Sequence, residues 1–116
     1  MDKKNYSIIY AEIRPEIAER VSLGIIFFHG SEVSVRYSKK KLDAVKGLVT
    51  QDSYKYISQT VRNLASKNTI SSEQDVNYLS RYSNNLITVS KLQRIDDINN
   101  NIDLNSLYKM YVYAKS

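Results

Sequence analysis

From Arg14 to Ser38 the chain reads RPEIAERVSLGIIFFHGSEVSVRYS, and this stretch decides the fold. Between Val21 and Phe28, six of eight residues are large and apolar, broken only by Ser22 and Gly24. A run that short and that apolar is either a strand covered on both faces or a segment of buried helix. Its β-branched and aromatic content, and the glycine that follows, favour the strand. Leu23, Ile25 and Phe27 are expected to be buried on one face of it, with Val21 and Ile26 at least partly buried on the other. Gly30 supplies the positive φ of a two-residue hairpin turn. Beyond it, Val33, Val35 and Tyr37 alternate with Ser34, Arg36 and Ser38, the pattern of a strand with one face in water. Gly24, set within GIIFF, reads as a site of close backbone packing rather than a ligand contact.

Working outward toward the N-terminus, Lys4 to Ile13 has Tyr6, Ile8 and Tyr10 on one face and Ile9, Ala11 and Ile13 on the other. That pattern suits an internal strand. Pro15 cannot donate to a ladder, so it ends this strand and opens a single helical turn through Glu16 to Glu19. Three consecutive antiparallel strands result.

After Ser38 the period changes to that of a helix. Leu42, Val45 and Val49 share one side of a short helix that Gly47 weakens. Asp52 or Ser53 is placed to cap a second helix carrying Tyr54, Ile57, Val61, Leu64 and Ala65 at amphipathic spacing. Ser71 with Gln74, or Ser72 with Asp75, resembles a capping box for a third through Val76, Leu79 and Tyr82, stopped at Asn84 and Asn85. Leu86 to Leu92 reads as a late strand, and Gln93 to Ile102 as loop. Asp103 caps a final helix through Leu104, Leu107, Tyr108, Tyr111 and Val112. The expected class is α+β: an antiparallel sheet of about four strands, an N-terminal three-stranded meander plus the late strand, with helices packed on one face.

At 116 residues this is a single domain, 1–116. The absence of cysteine removes any disulfide framework or thiolate metal site. The polar opening MDKKNYS is unlike a signal peptide. No stretch approaches the roughly 18 apolar residues of a membrane span. A cytoplasmic protein without membrane association is the expectation. The net charge of +5 favours an acidic partner or nucleic acid without specifying either.

Catalytic chemistry finds little to work with. His29 is the only histidine and sits beside a turn glycine, with no base or metal partner in reach by spacing. Asp96 and Asp97 adjoin three asparagines and read as solvated. The three glycines, at 24, 30 and 47, form no phosphate cradle. The expectation is therefore no catalytic residues, no metal and no cofactor. Two features suit binding. Arg36 with Lys39, Lys40 and Lys41 forms a local basic cluster where a strand delivers the chain to a helix start. Ten of twelve aromatics are tyrosine, and Tyr54, Tyr56, Tyr78 and Tyr113 are candidates for an interface.

Several of these segments resemble the small bacterial proteins of the domain of unknown function 3037 family. The likeness lies in the Tyr-bearing first strand, Pro15, and Glu19-Arg20-Val21-Ser22-Leu23-Gly24-Ile25-Ile26, where Ser22 replaces the family's usual Asn. It continues through the basic residues ahead of Leu42. It resumes in Leu86 to Val89 and in Asp103, Leu104, Leu107, Tyr108, Tyr111 and Val112, similar to a D-x-x-L-Y-x-x-Y/F-V ending. The resemblance covers the two ends of the chain. It implies an accessory subunit, since such proteins are often encoded beside HipA-like kinases. The leading expectation is thus a non-catalytic protein-interaction module, a regulatory partner of a HipA-like kinase or of another toxin–antitoxin or phage-defence component. The alternative is a basic nucleic-acid-binding protein or a small phage-type inhibitor of a nucleic-acid-processing complex.

Overall fold

The computed structural model describes residues 4–14, 17, 19–30, 32–66, 70, 74–77, 86–95, 108–109 and 112. The organising stretch is strand as expected: β1 (Lys4–Arg14), β2 (Glu19–His29) and β3 (Glu32–Tyr37) form an antiparallel meander. His29 pairs with Glu32 across the turn, and Gly30 there has φ 62°. Helices α1 (Lys39–Val45) and α2 (Gln51–Ala65) follow. Then β4 (Ile87–Val89) and β5 (Gln93–Arg94) both pair antiparallel with β1. The sheet runs β3-β2-β1-β4, with β5 further along β1, so β1 is internal. The class is α+β.

Leu23 to Phe28 are all buried, but the face assignment needs correction. Ile9 pairs with Gly24 and Tyr10 with Ser22, so Leu23 is an extra residue in β2, a β-bulge. Val21 lies on the side of Ile26 as expected, and the bulge brings Leu23 onto that same side with Phe28, leaving Ile25 and Phe27 on the other. Glu19 is likewise already strand, paired with Arg14, rather than the end of a helical turn.

Two cores follow. On the first face, Ile9, Ala11, Leu23, Ile26, Ile87 and Val89 pack against α1 and α2 through Leu42, Val45, Ile57, Val61 and Leu64. Ile70 joins this core, as does Val76 of a helical segment at 74–77. On the second face, Ile25 and Phe27 meet Ile95, Tyr108 and Val112, with Tyr6 beside them. Tyr108 and Lys109 are helical, and the Val112 amide donates to the Tyr108 carbonyl at 2.8 Å. The sheet therefore carries a second, smaller layer opposite the two main helices.

Local chemistry sets the helix ends. Ser38, an exposed strand position by period, is instead buried as the α1 N-cap, its hydroxyl accepting from the Lys41 amide at 3.1 Å. α1 stops at Val45, short of Val49, and closes with i→i−3 bonds from Lys46, Gly47 and Leu48. The α2 cap is Thr50, not Asp52 or Ser53: its Oγ1 accepts from the Ser53 amide at 3.2 Å. Asp52 then lies in the first turn and Arg62 in the last, matching the helix dipole at both ends.

The stretch 93–94 is strand rather than loop, with Asn5 opposite Arg94 and Tyr6 opposite Gln93. Between β4 and β5, Ser90 is bound to β1 by its amide to the Ile8 carbonyl and by its hydroxyl to the Ile8 amide, each at 2.9 Å. The fully buried Ser7 hydroxyl donates to the Ser90 carbonyl, so this polar group is satisfied inside the core. Leu79, Tyr82, Asn84 and Asn85, Asp96 and Asp97, and Asp103, Leu104 and Leu107 lie outside the described residues.

Candidate functional site

The basic cluster is built differently from its sequence spacing. Arg36 alternates with Val35 and Tyr37, which pack into the helix-side core, so it projects from the opposite face of the sheet. There its guanidinium carbon lies 4.0 Å from the Tyr108 ring centroid. Lys39 and Lys40 are exposed on α1. Lys41 is half-buried, and its ammonium donates to the Ser22 hydroxyl at 2.8 Å. Burial pushes the Lys41 ammonium below the usual lysine range, because the charged form loses hydration. The Lys41 amide is already taken by the Ser38 cap, so backbone and side chains at this helix start do not converge on one external anion.

Cross-strand register brings a different set together. Ile25 is opposite both Ile8 and Arg36, and Ser22 is opposite Tyr10. Directly paired residues share a face, and Ile8 and Tyr10 alternate onto the same one. Arg36, Ser22 with the Lys41 ammonium, and then Arg20 thus follow one another along β2. Arg20 is exposed, with its guanidinium carbon 3.8 Å from the Tyr10 ring centroid. Each arginine rests on a tyrosine face, an arrangement that holds the charge in place.

Carboxylates are interleaved with these cations. Glu12, opposite Arg20, accepts from the Thr88 hydroxyl at 2.9 Å, and Glu32 lies on the same face of β3 as Arg36. Among the described residues the result is a mixed-charge surface, with Arg20, Arg36 and Lys41 against Glu12 and Glu32.

Arg20 is the residue that sequence reasoning missed. Simple alternation assigns it to the face of Ile26 and Phe28, and only the bulge at Leu23 transfers it to that of Arg36. The tyrosines divide as well. Tyr54 is half-buried against the core, with the Lys46 ammonium 5.9 Å from its ring centroid, whereas Tyr56 is 47% exposed. Tyr78 and Tyr113 lie outside the described residues.

Two shallow depressions are also present. One follows α2 along Tyr54, Ser58 and Arg62; the other lies between Ile13, Leu48, Val49 and Leu86. Among the described residues no three His, Asp or Glu side chains come together as metal ligands, and no helix is long and apolar enough to cross a membrane.

No protein-family model matches the chain, and neither a curated protein nor a solved structure does so significantly. The resemblance of its two ends to the domain of unknown function 3037 family rests on the sequence motifs alone.

Proposed function

We propose that the chain is a non-catalytic protein-interaction module that receives an acidic surface of its partner on the sheet face bearing Arg20, Arg36 and Lys41. The observation that carries this reading is the pair of arginines stacked on Tyr10 and Tyr108 on one face. Glu12 and Glu32, interleaved on that face, favour a protein over nucleic acid. A phosphate backbone presents only negative charge and is repelled by carboxylates, while a protein surface can offer both signs. On the resemblance alone, the partner is a HipA-like kinase or another toxin–antitoxin or phage-defence component.

Affinity capture from the native host tests the reading. The expected result is a stoichiometric protein partner, lost on Arg20→Glu with Arg36→Glu and retained when the exposed Lys39 and Lys40 are neutralised. Recovery of no stoichiometric protein would count against it. Titration with DNA and RNA at two salt concentrations addresses the rival: tight binding with a steep inverse salt dependence would assign the face to phosphates instead.

A further inference from the structure

We infer that the exposed face of α2 is a docking surface for duplex DNA. It enters the major groove with Lys55 and Arg62 on phosphates and with Gln59 and Asn63 toward base edges. α2 packs on the helix side of the sheet and shares no residue with the face bearing Arg20, Arg36 and Lys41. The inference therefore stands apart from the acidic-partner reading.

Burial divides α2 into two faces. Ile57, Ser58, Val61 and Leu64 are buried, whereas Lys55, Gln59, Arg62 and Asn63 are exposed. Those four fall at i, i+4, i+7 and i+8, so they line one side of the helix over two turns. Two ridges, Tyr54-Ser58-Arg62 and Lys55-Gln59-Asn63, run side by side and border the shallow depression along the helix. All six of these side chains carry a hydrogen-bond donor and none carries a carboxylate. Asp52, in the first turn, is the only acidic residue of α2. Among the described residues, no hydrogen bond or ion pair engages the side chains of Lys55, Gln59, Arg62 or Asn63. A third cation, the exposed Lys46, stands at the Tyr54 end, its ammonium 5.9 Å from that ring centroid.

A donor-rich groove without carboxylates suits a ligand that presents acceptors along its length. Duplex DNA does so at its phosphates and at the purine N7 and pyrimidine O4 atoms of its major groove. That groove, about 12 Å wide, admits an α-helix, whereas the major groove of an RNA helix is too narrow. Lys55 and Arg62 are seven residues apart, about 10 Å along the axis, and flank Gln59, with Asn63 one residue beyond. Cations at the ends hold the backbone. The amides between and beside them offer a donor and an acceptor together, which matches adenine N6 and N7. A protein carboxylate would engage the cations and leave both amides on water.

So few cations hold DNA weakly. Non-specific binding of this kind has a Kd of about 10⁻⁴–10⁻⁶ M at physiological salt, and three phosphate contacts give a salt slope of about −2.7. Fluorescence anisotropy with a labelled mixed-sequence duplex of about two helical turns reads both quantities. Lys55→Gln with Arg62→Gln should remove about two units of slope. Between about 50 and about 200 mM salt, the wild type should then lose roughly tenfold more affinity than this variant. Arg20→Gln with Arg36→Gln removes the same charge from the sheet face and should keep the wild-type slope. Gln59→Ala with Asn63→Ala should keep it too, while abolishing the sequence preference that the wild type shows in selection from a randomised duplex pool. Circular dichroism confirms that each variant is folded.

Capture of a protein partner by Lys55→Gln with Arg62→Gln should be unchanged, so the two surfaces succeed or fail separately. Absence of duplex binding at about 50 mM salt would overturn the inference. So would a slope unchanged in the α2 variant, or one reduced equally in the sheet-face control. Tighter binding of single strands than of duplex, or no sequence preference for Gln59 and Asn63 to lose, would overturn it as well.

Discussion

Gly24 shows how one residue constrains two strands. A Cβ added there would lie 2.6 Å from the Arg36 carbonyl oxygen and 3.0 Å from Tyr37 Cβ, and main-chain atoms have no rotamer by which to withdraw. Reading GIIFF as close packing identified the position, because a glycine inside an otherwise bulky strand has few other uses. Gly24→Ala should destabilise the fold by about 1–3 kcal/mol in a denaturant titration, since β3 must shift to admit the methyl group.

Lys41 makes a different kind of prediction. Its folded-state pKa is lowered by burial, so between that value and its unfolded value near 10.5 the unfolded chain binds more protons. Stability therefore rises with pH through that window. At neutral pH both states are charged and the full desolvation cost is present; above the unfolded value it is gone. Relative to Lys41→Gln, the wild type should gain stability between neutral pH and pH 10.5, as followed by thermal melts.

Within β2 the consequential feature is the bulge at Leu23. Alternation read from the sequence recognised the strand and its burial on both faces, because the apolar residues sit on both parities. It could not say where a residue is skipped, since a bulge at Leu23 has no composition of its own. Everything from Leu23 back to Glu19 consequently changes sides, which is why Arg20 escaped notice and Leu23 was assigned beside Ile25. Leu23 is fully buried in the helix-side core, and Leu23→Ala should cost about 2–5 kcal/mol. Chemical denaturation measures this, and a loss near zero would mean that the bulge relaxes around the cavity.

The other elements divide by the same logic. α2 was legible because Ile57, Val61 and Leu64 repeat at helical spacing, but Thr50, Asp52 and Ser53 are all good caps and only geometry selects Thr50. β5 was illegible: two exposed residues, Gln93 and Arg94, carry no periodicity and are strand only because β1 offers them an edge.

At the scale of the molecule, the meander and the helix-side layer follow from local patterns, whereas the second layer does not. Tyr108 and Val112 have helical spacing, but nothing in that spacing says which face of the sheet they cover. The site inherits this limit. A basic run at 36–41 is visible in the sequence, yet its residues acquire partners far along the chain, Arg36 from Tyr108 and Lys41 from Ser22.

The position of β1 has a consequence for how the protein is made. One flank of this first strand meets β2 within a few residues, but its other flank is completed by β4 and β5, more than seventy residues later. On a translating ribosome the meander and both helices emerge while that flank still lacks its neighbours. Nascent chains in this interval display an apolar strand border to one another, the state in which intermolecular pairing competes with folding. Ser90, which locks onto both main-chain groups of Ile8, is the latch that ends the interval. The longer the last third of the chain takes to arrive, the longer that border stays open to another chain.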